Sequence, residues 1–173
     1  NTTKFLVSIG VGEIFLIAGS IIVGLNSPLT AIQILWMNLI TGSFPALALG
    51  MENKALDIMT RPPRKKDEKI LSKPRLISMI SVGLFMAITT IIPYFYLLET
   101  ETPAIAQTVA FNIIIGQQLF YAFSSRSTKH SIFKLGLFTN KPLVGAVILG
   151  FVLQIAIVHI PAFQAIFNTV PLN

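Results

Sequence analysis

One acid in this sequence stands where acids are costly. Glu13 lies inside an unbroken apolar run, between Val11-Gly12 and Ile14-Phe15, whereas Glu52, Asp57, Asp67, Glu68, Glu99 and Glu101 fall among polar neighbours. A carboxylate at apolar depth needs a cation, a proton or a hydrogen-bonding partner to compensate it. Two chemistries fit: a protonated acid donating to a neighbouring helix, or a ligand for a cation or proton. Gly10 and Gly12 beside it permit close backbone approach. The next apolar run carries Asn38 and Thr41, three apart and so on one helix face, followed by Gly42, Ser43 and Pro45. Pro45 has no N–H for the Thr41 carbonyl, which weakens the helix ladder and frees backbone oxygens that can coordinate an ion. A later run holds Asn112, Gln117, Gln118 and Tyr121. Amides there either join helices or offer neutral oxygen ligands, and both readings stay open. Gln154 reads as helix glue. His130 and His159 are far apart, make no ligand pattern and read as structural.

The elements that would hold these groups are set by composition. Hydrophobic residues fill 53% of 173 positions and charged residues 12%, about half the charged fraction of a soluble domain. Lipid must therefore be the solvent for much of this surface. Five stretches are long enough to span a bilayer as helices: 5–25, 29–50, 76–98, 104–123 and 142–160. None alternates as a barrel strand does, so the expected fold is all-α, a multi-pass transmembrane helix bundle in a single domain covering 1–173. The run after Lys4 mimics a signal peptide, but it holds Glu13 and lacks a small-residue cleavage site. With no cysteine, disulfides and thiolate metal sites are excluded.

Charge then orients the bundle. Loop 51–75 carries eight of the thirteen basic residues, loop 124–141 carries Arg126, Lys129, Lys134 and Lys141, and Lys4 precedes the first span. Turns 26–28 and 99–103 and the tail from Pro161 carry none. All basic residues thus fall on one side, which the positive-inside rule names as the cytoplasm, with the N-terminus there. The net charge of +6 is accounted for by these loops, so nucleic-acid binding is not expected. An odd number of spans and a start without methionine read as a piece of a longer protein. The aromatics of Pro93-Tyr94-Phe95-Tyr96, near a span end, read as an interfacial anchor. Within the basic loop, Leu56, Ile58 and Met59 interrupt the polar sequence as a docking segment would, and Arg61 and Arg64 suit bridges to acids on another domain.

Several of these segments together resemble a known family. Trp36-Met37-Asn38-Leu39-Ile40-Thr41, then Pro45-Ala46-Leu47-Ala48-Leu49-Gly50, then Leu56-Asp57-Ile58-Met59 with Arg61-Pro62-Pro63-Arg64, resemble the sixth membrane helix and following loop of type-II P-type ATPases, closest to the calcium pumps. Val11-Gly12-Glu13 is similar to the fifth-helix motif, and residues 106–126 to the eighth helix. The likeness covers the chain from the fifth helix to just past the ninth. It implies a membrane transport domain whose cation ligands are Glu13, Asn38, Thr41 and Gln118. Asp57, Arg61 and Arg64 would belong to the loop that couples the site to a phosphorylation domain. It also implies partners in the lipid bilayer and the rest of the pump, with ATP and Mg2+ acting there, since this chain carries neither the Asp-Lys-Thr-Gly signature nor a nucleotide domain. It implies calcium or another cation as cargo. Gly10, Gly42 and Gln118 depart from the calcium-pump ligands, leaving one carboxylate where calcium favours several charged oxygens. The rival expectations are a secondary transporter or channel, which should show a repeated half, and a scaffold subunit, which has no use for Glu13 at depth.

Overall fold

The computed structural model describes residues 2–52, 72–127, 136 and 138–172, and all regular structure among them is helical. The helices are α1 (Thr2–Ile22), α2 (Ala31–Gly50), α3 (Lys73–Thr100), α4 (Pro103–Ser124), α5 (Lys141–His159) and α6 (Pro161–Phe167). Their ends follow local chemistry. Pro74, Pro103, Pro142 and Pro161 each occupy the first turn of a helix, where a missing N–H costs nothing. Thr30 and Gln33 cap α2 reciprocally, Thr102 accepts from Ile105 N, and Asn140 accepts from Leu143 N, each satisfying an otherwise orphaned donor. Gly24 and Asn168 take positive φ just past α1 and α6, the left-handed turn that stops a helix. Pro93 lies inside α3 without ending it.

Side-chain contacts give the helix directions. Glu13 meets Asn38 while Thr2 meets the Ala46 carbonyl, so α1 and α2 are antiparallel. Gly12 touches Gly83 and Gly19 touches Ile91, so α1 and α3 run parallel. Thr41 meets Gln118 and Glu52 meets Arg126, so α2 and α4 are parallel too. Gln154 meets Asn112 and Gly150 meets Leu119, which sets α5 antiparallel to α4. The closest approach is between α1 and α3. A Cβ added to Gly83 would stand 2.8 Å from Gly12 N and 2.9 Å from Ser8 O, so only glycine lets these backbones meet.

α1, α2, α3 and α5 are long and apolar enough to cross a membrane. α4 matches them in length, with 22 residues, but Gln107, Asn112, Gln117 and Gln118 dilute its apolarity. It does not need a lipid-facing composition, because it is the inner helix: Ala106, Ala110, Phe111, Ile114, Leu119 and Ala122 are all fully buried. Ile14, Leu35, Phe85, Ile92, Phe120 and Val152 point outward instead, as a lipid-solvated bundle requires. The aromatic anchor expected at residues 94–96 is corrected at Tyr94. Phe95 and Tyr96 are exposed, but Tyr94 is fully buried against Ala106 and Ala110 and donates to the Asn26 carbonyl at 3.1 Å. Its hydroxyl found a partner in the α1–α2 connection, so the ring turned inward.

Candidate intramembrane cation site

The middle of α2 departs from α-helical geometry. Met37–Ser43 form a π-helix, flanked by α-helical Ala31–Trp36 and Phe44–Gly50. The cause is in the sequence: Pro45 cannot donate, and Gly42 and Ser43 relax the ladder before it. The weakening expected at Gly42, Ser43 and Pro45 thus takes the form of a widened turn, with the helix axis continuing through it. Ser43 Oγ donates to the Asn38 carbonyl at 2.9 Å, a side-chain tie across the widened turn.

This turn faces Glu13. The acid is 6% exposed and its oxygens face amide nitrogens of two other helices. Gln118 Nε2 on α4 donates to Oε1 at 2.9 Å, and Asn38 Nδ2 on α2 donates to Oε2 at 3.4 Å. Thr41, fully buried, places its hydroxyl 2.6 Å from Gln118 Oε1 and 2.8 Å from the Met37 carbonyl. Glu13, Asn38, Thr41 and Gln118 therefore form one connected cluster from three helices. Asn38 is exposed at its outer edge. Each amide joins to the acid through its nitrogen and turns over about one torsion to present oxygen instead, so the set can offer one carboxylate and up to three neutral side-chain oxygens. Among the described residues no three Asp, Glu, His or Cys side chains come together. Among the described residues, Glu13 alone brings a negative charge to this cluster.

The other polar residues of α4 are engaged elsewhere. Gln117 Nε2 donates to Thr89 Oγ1 on α3 at 3.0 Å, Asn112 accepts from Gln154 at 3.1 Å, and the Tyr121 hydroxyl is 3.1 Å from Ser8 Oγ on α1. These join helices, as does Gln154. A cavity of about 190 Å³ between α4 and α5, lined by Asn112, Gln154 and His159, lies apart from the acid. Asp57, Arg61, Arg64 and His130 lie outside the described residues.

The sequence reading passed over a second cluster. Arg126, 3% exposed, just beyond α4, grips the Glu52 carboxylate with two nitrogens, Nε to Oε2 at 2.9 Å and Nη2 to Oε1 at 2.7 Å. It also donates to Gly136 O at 2.7 Å and Thr139 Oγ1 at 2.6 Å. Asn140, at the start of α5, donates to both Glu52 and the Ala48 carbonyl. Burial alone would raise the Glu52 carboxyl, but the hydrogen bonds from Arg126 and Asn140 and the arginine's charge outweigh it and hold it below its ordinary 4.5. Arg126 closes the segment that resembles the eighth helix, but nothing in the sequence marked it, over Lys129 or Lys134, as a partner for Glu52. Its burial is the telling feature, and burial appears only in the fold.

A bundle of membrane-length helices defines a membrane protein, and its lone inward acid, two amides and hydroxyl at a widened turn are groups that can hold a cation. Comparison with known families agrees, and narrows it. Residues 26–173 match the family described as cation transporting ATPase, C-terminus, and the chain belongs to that family. It is similar to a calcium-transporting ATPase of Bacillus subtilis, 35% identical over 98% of this chain and 19% of the relative. Calcium-transporting ATPase 1 of Saccharomyces cerevisiae is 33% identical over 98% and 18%. A Mycobacterium bovis protein named probable cation-transporting ATPase F is 32% identical over 100% and 20%. The chain thus spans about a fifth of the length of the curated relatives it matches.

Proposed function

We propose that this chain supplies part of the intramembrane cation site of an ATP-driven P-type pump. Glu13 is the charged ligand, and Asn38, Thr41 and Gln118 are the neutral ones. The observation that carries the reading is the meeting of these four side chains at the π-helical turn, in a chain of the cation-transporting ATPase family. Lipid-depth burial of a carboxylate is retained at a cost, and an ion that replaces the amide hydrogens turns that cost into affinity. Calcium is the first candidate cargo, since relatives from Bacillus and yeast are named as calcium-transporting. One carboxylate favours a single ion over a pair. Family membership favours the pump over a secondary transporter or scaffold.

The pump would hydrolyse ATP with Mg2+ in the parts of the protein beyond this chain. Loop 51–75, with Asp57, Arg61 and Arg64, would carry the signal to and from them. Basic residues at Lys4, Lys73 and Lys141 all sit at the end of the bundle where Glu52 and Arg126 meet. That end, with the N-terminus, is assigned to the cytoplasm.

The test uses the full-length pump. ATPase activity is measured against calcium, manganese, potassium and sodium for the native protein and Glu13→Gln. The activating cation should need a concentration raised by roughly tenfold or more in the variant, equivalent to about 1.4 kcal/mol of lost binding. Unchanged affinity and maximal rate would remove Glu13 from the site.

A further inference from the structure

We infer that Arg126 is a positioning residue for the cation site, holding α2 and α4 in the one register at which Thr41 reaches Gln118. The inference rests on the site assignment proposed above. Helices α2 and α4 run parallel and touch through side chains at two levels. Deep in the bundle, the Thr41 hydroxyl meets Gln118. At the end where Lys73 and Lys141 lie, Glu52 meets Arg126. Glu52 and Arg126 each stand two residues past the end of their helix, after Gly50 and Ser124, and both contacts are met at once in the same parallel pair. The two contacts therefore belong to a single alignment of the helices. A slide by one residue, about 1.5 Å, would take Thr41 out of hydrogen-bond reach of Gln118 and strain the arginine pair at once.

The upper contact is built to resist that slide. A bidentate arginine–carboxylate pair fixes both distance and orientation, as a lysine would not. Asn140 adds a second donor to Glu52 and ties the last turn of α2 to α5 through the Ala48 carbonyl. Arg126 itself is anchored to Gly136 and Thr139, so the α4 end, the segment before α5 and the α2 end share one node. The node is also the point where α2 passes into loop 51–75. Without it, the π-helical turn could still form, but its oxygens would no longer be held opposite α4. The predicted consequence is a loss of cation affinity with little change in the rate at saturation.

The experiment compares full-length protein carrying Arg126→Gln, Arg126→Lys, Glu52→Gln and the native sequence, with Glu13→Gln alongside. Cation-stimulated ATPase gives the half-saturating cation concentration and the maximal rate separately, and thermal unfolding is followed with and without saturating cation. Arg126→Gln should raise the half-saturating concentration by about fivefold or more, keep most of the maximal rate and shrink the stabilisation that the cation confers. Arg126→Lys should fall between, because it keeps the charge but not the fork. Lower thermal stability with unchanged half-saturation would make the cluster merely structural and overturn the inference. If Arg126→Gln does not accumulate, Glu52→Gln is read by the same criterion. If Glu13→Gln leaves affinity unaltered, the site assignment itself fails. If Glu13→Gln abolishes affinity and Arg126→Gln does not shift it, only the positioning role fails.

Discussion

Thr41 shows how a single hydroxyl can carry more than its own bond. It stands opposite Gln118 Oε1, whose nitrogen in turn serves Glu13. Thr41→Val keeps the shape and removes the donor, leaving a fully buried amide oxygen without it. Unfolding of the full-length protein in detergent should show a loss of about 1–3 kcal/mol, with Thr41→Ser close to native. Glu52 titrates the other cluster. Its carboxyl is held below 4.5, so the stability it adds is complete above that ordinary value and is lost as pH falls through its lower folded one. Native protein should therefore lose melting temperature on acidification below about pH 4.5 by more than Arg126→Gln does, since the variant has already lost the main partner. At this scale the sequence was uneven in what it disclosed. Glu13, Asn38 and Thr41, which the structure brings into one cluster, drew notice because an acid in an apolar run and a Gly-Ser-x-Pro break are local signals. Gln118 was legible only as one of four polar groups on its run, and the family resemblance alone singled it out. Spacing does not separate it from Gln117, and what does is the rotation of α4, which turns one amide to α1 and the other to Thr89 of α3. Glu52 and Arg126 are 74 residues apart and each resembles an ordinary loop charge, so their pairing had no local trace.

The elements were easier to read than their contacts. Helix starts were written in proline and capping residues, and the α2 irregularity in Gly42, Ser43 and Pro45. Which helix would be the inner one was not written so plainly, since α4 looks merely less apolar than its neighbours. Its amides are spent on α1, α3 and α5, and that only becomes visible once the helices are together. The α1–α3 seam gives the sharpest prediction at this scale. Gly83→Ala should cost about 1–3 kcal/mol, because the new methyl meets backbone atoms of Ser8 and Gly12 that cannot turn aside. Gly10→Ala and Gly116→Ala meet nothing within 4 Å. They should be neutral or gain up to about 1 kcal/mol from helix propensity. Melting curves of the three variants in one detergent separate the two outcomes, and a Gly83→Ala protein as stable as native would show that the helices can part freely there.

For the whole molecule, the alternating helix directions put Ser72 and Thr102 at opposite ends of the bundle, and both are exposed. The chain contains no cysteine, so Ser72→Cys and Thr102→Cys introduce unique thiols into this region. In sealed, oriented vesicles of a full-length protein stripped of its other cysteines, an impermeant maleimide should label Ser72→Cys from the cytoplasmic side only and Thr102→Cys from the opposite side only. The reverse pattern would invert the assigned orientation. The glycine seam has one more consequence for such a bundle. Where glycines let two backbones come this close, with Val11 and Met86 packed beside the contact and Ile91 against Gly19 further along, the middle of one helix is tied firmly to the other. Glu13 is next to Gly12, at the middle. The charge therefore sits on the most closely packed part of α1, and in the proposed pump admitting or releasing an ion falls to the helices around it.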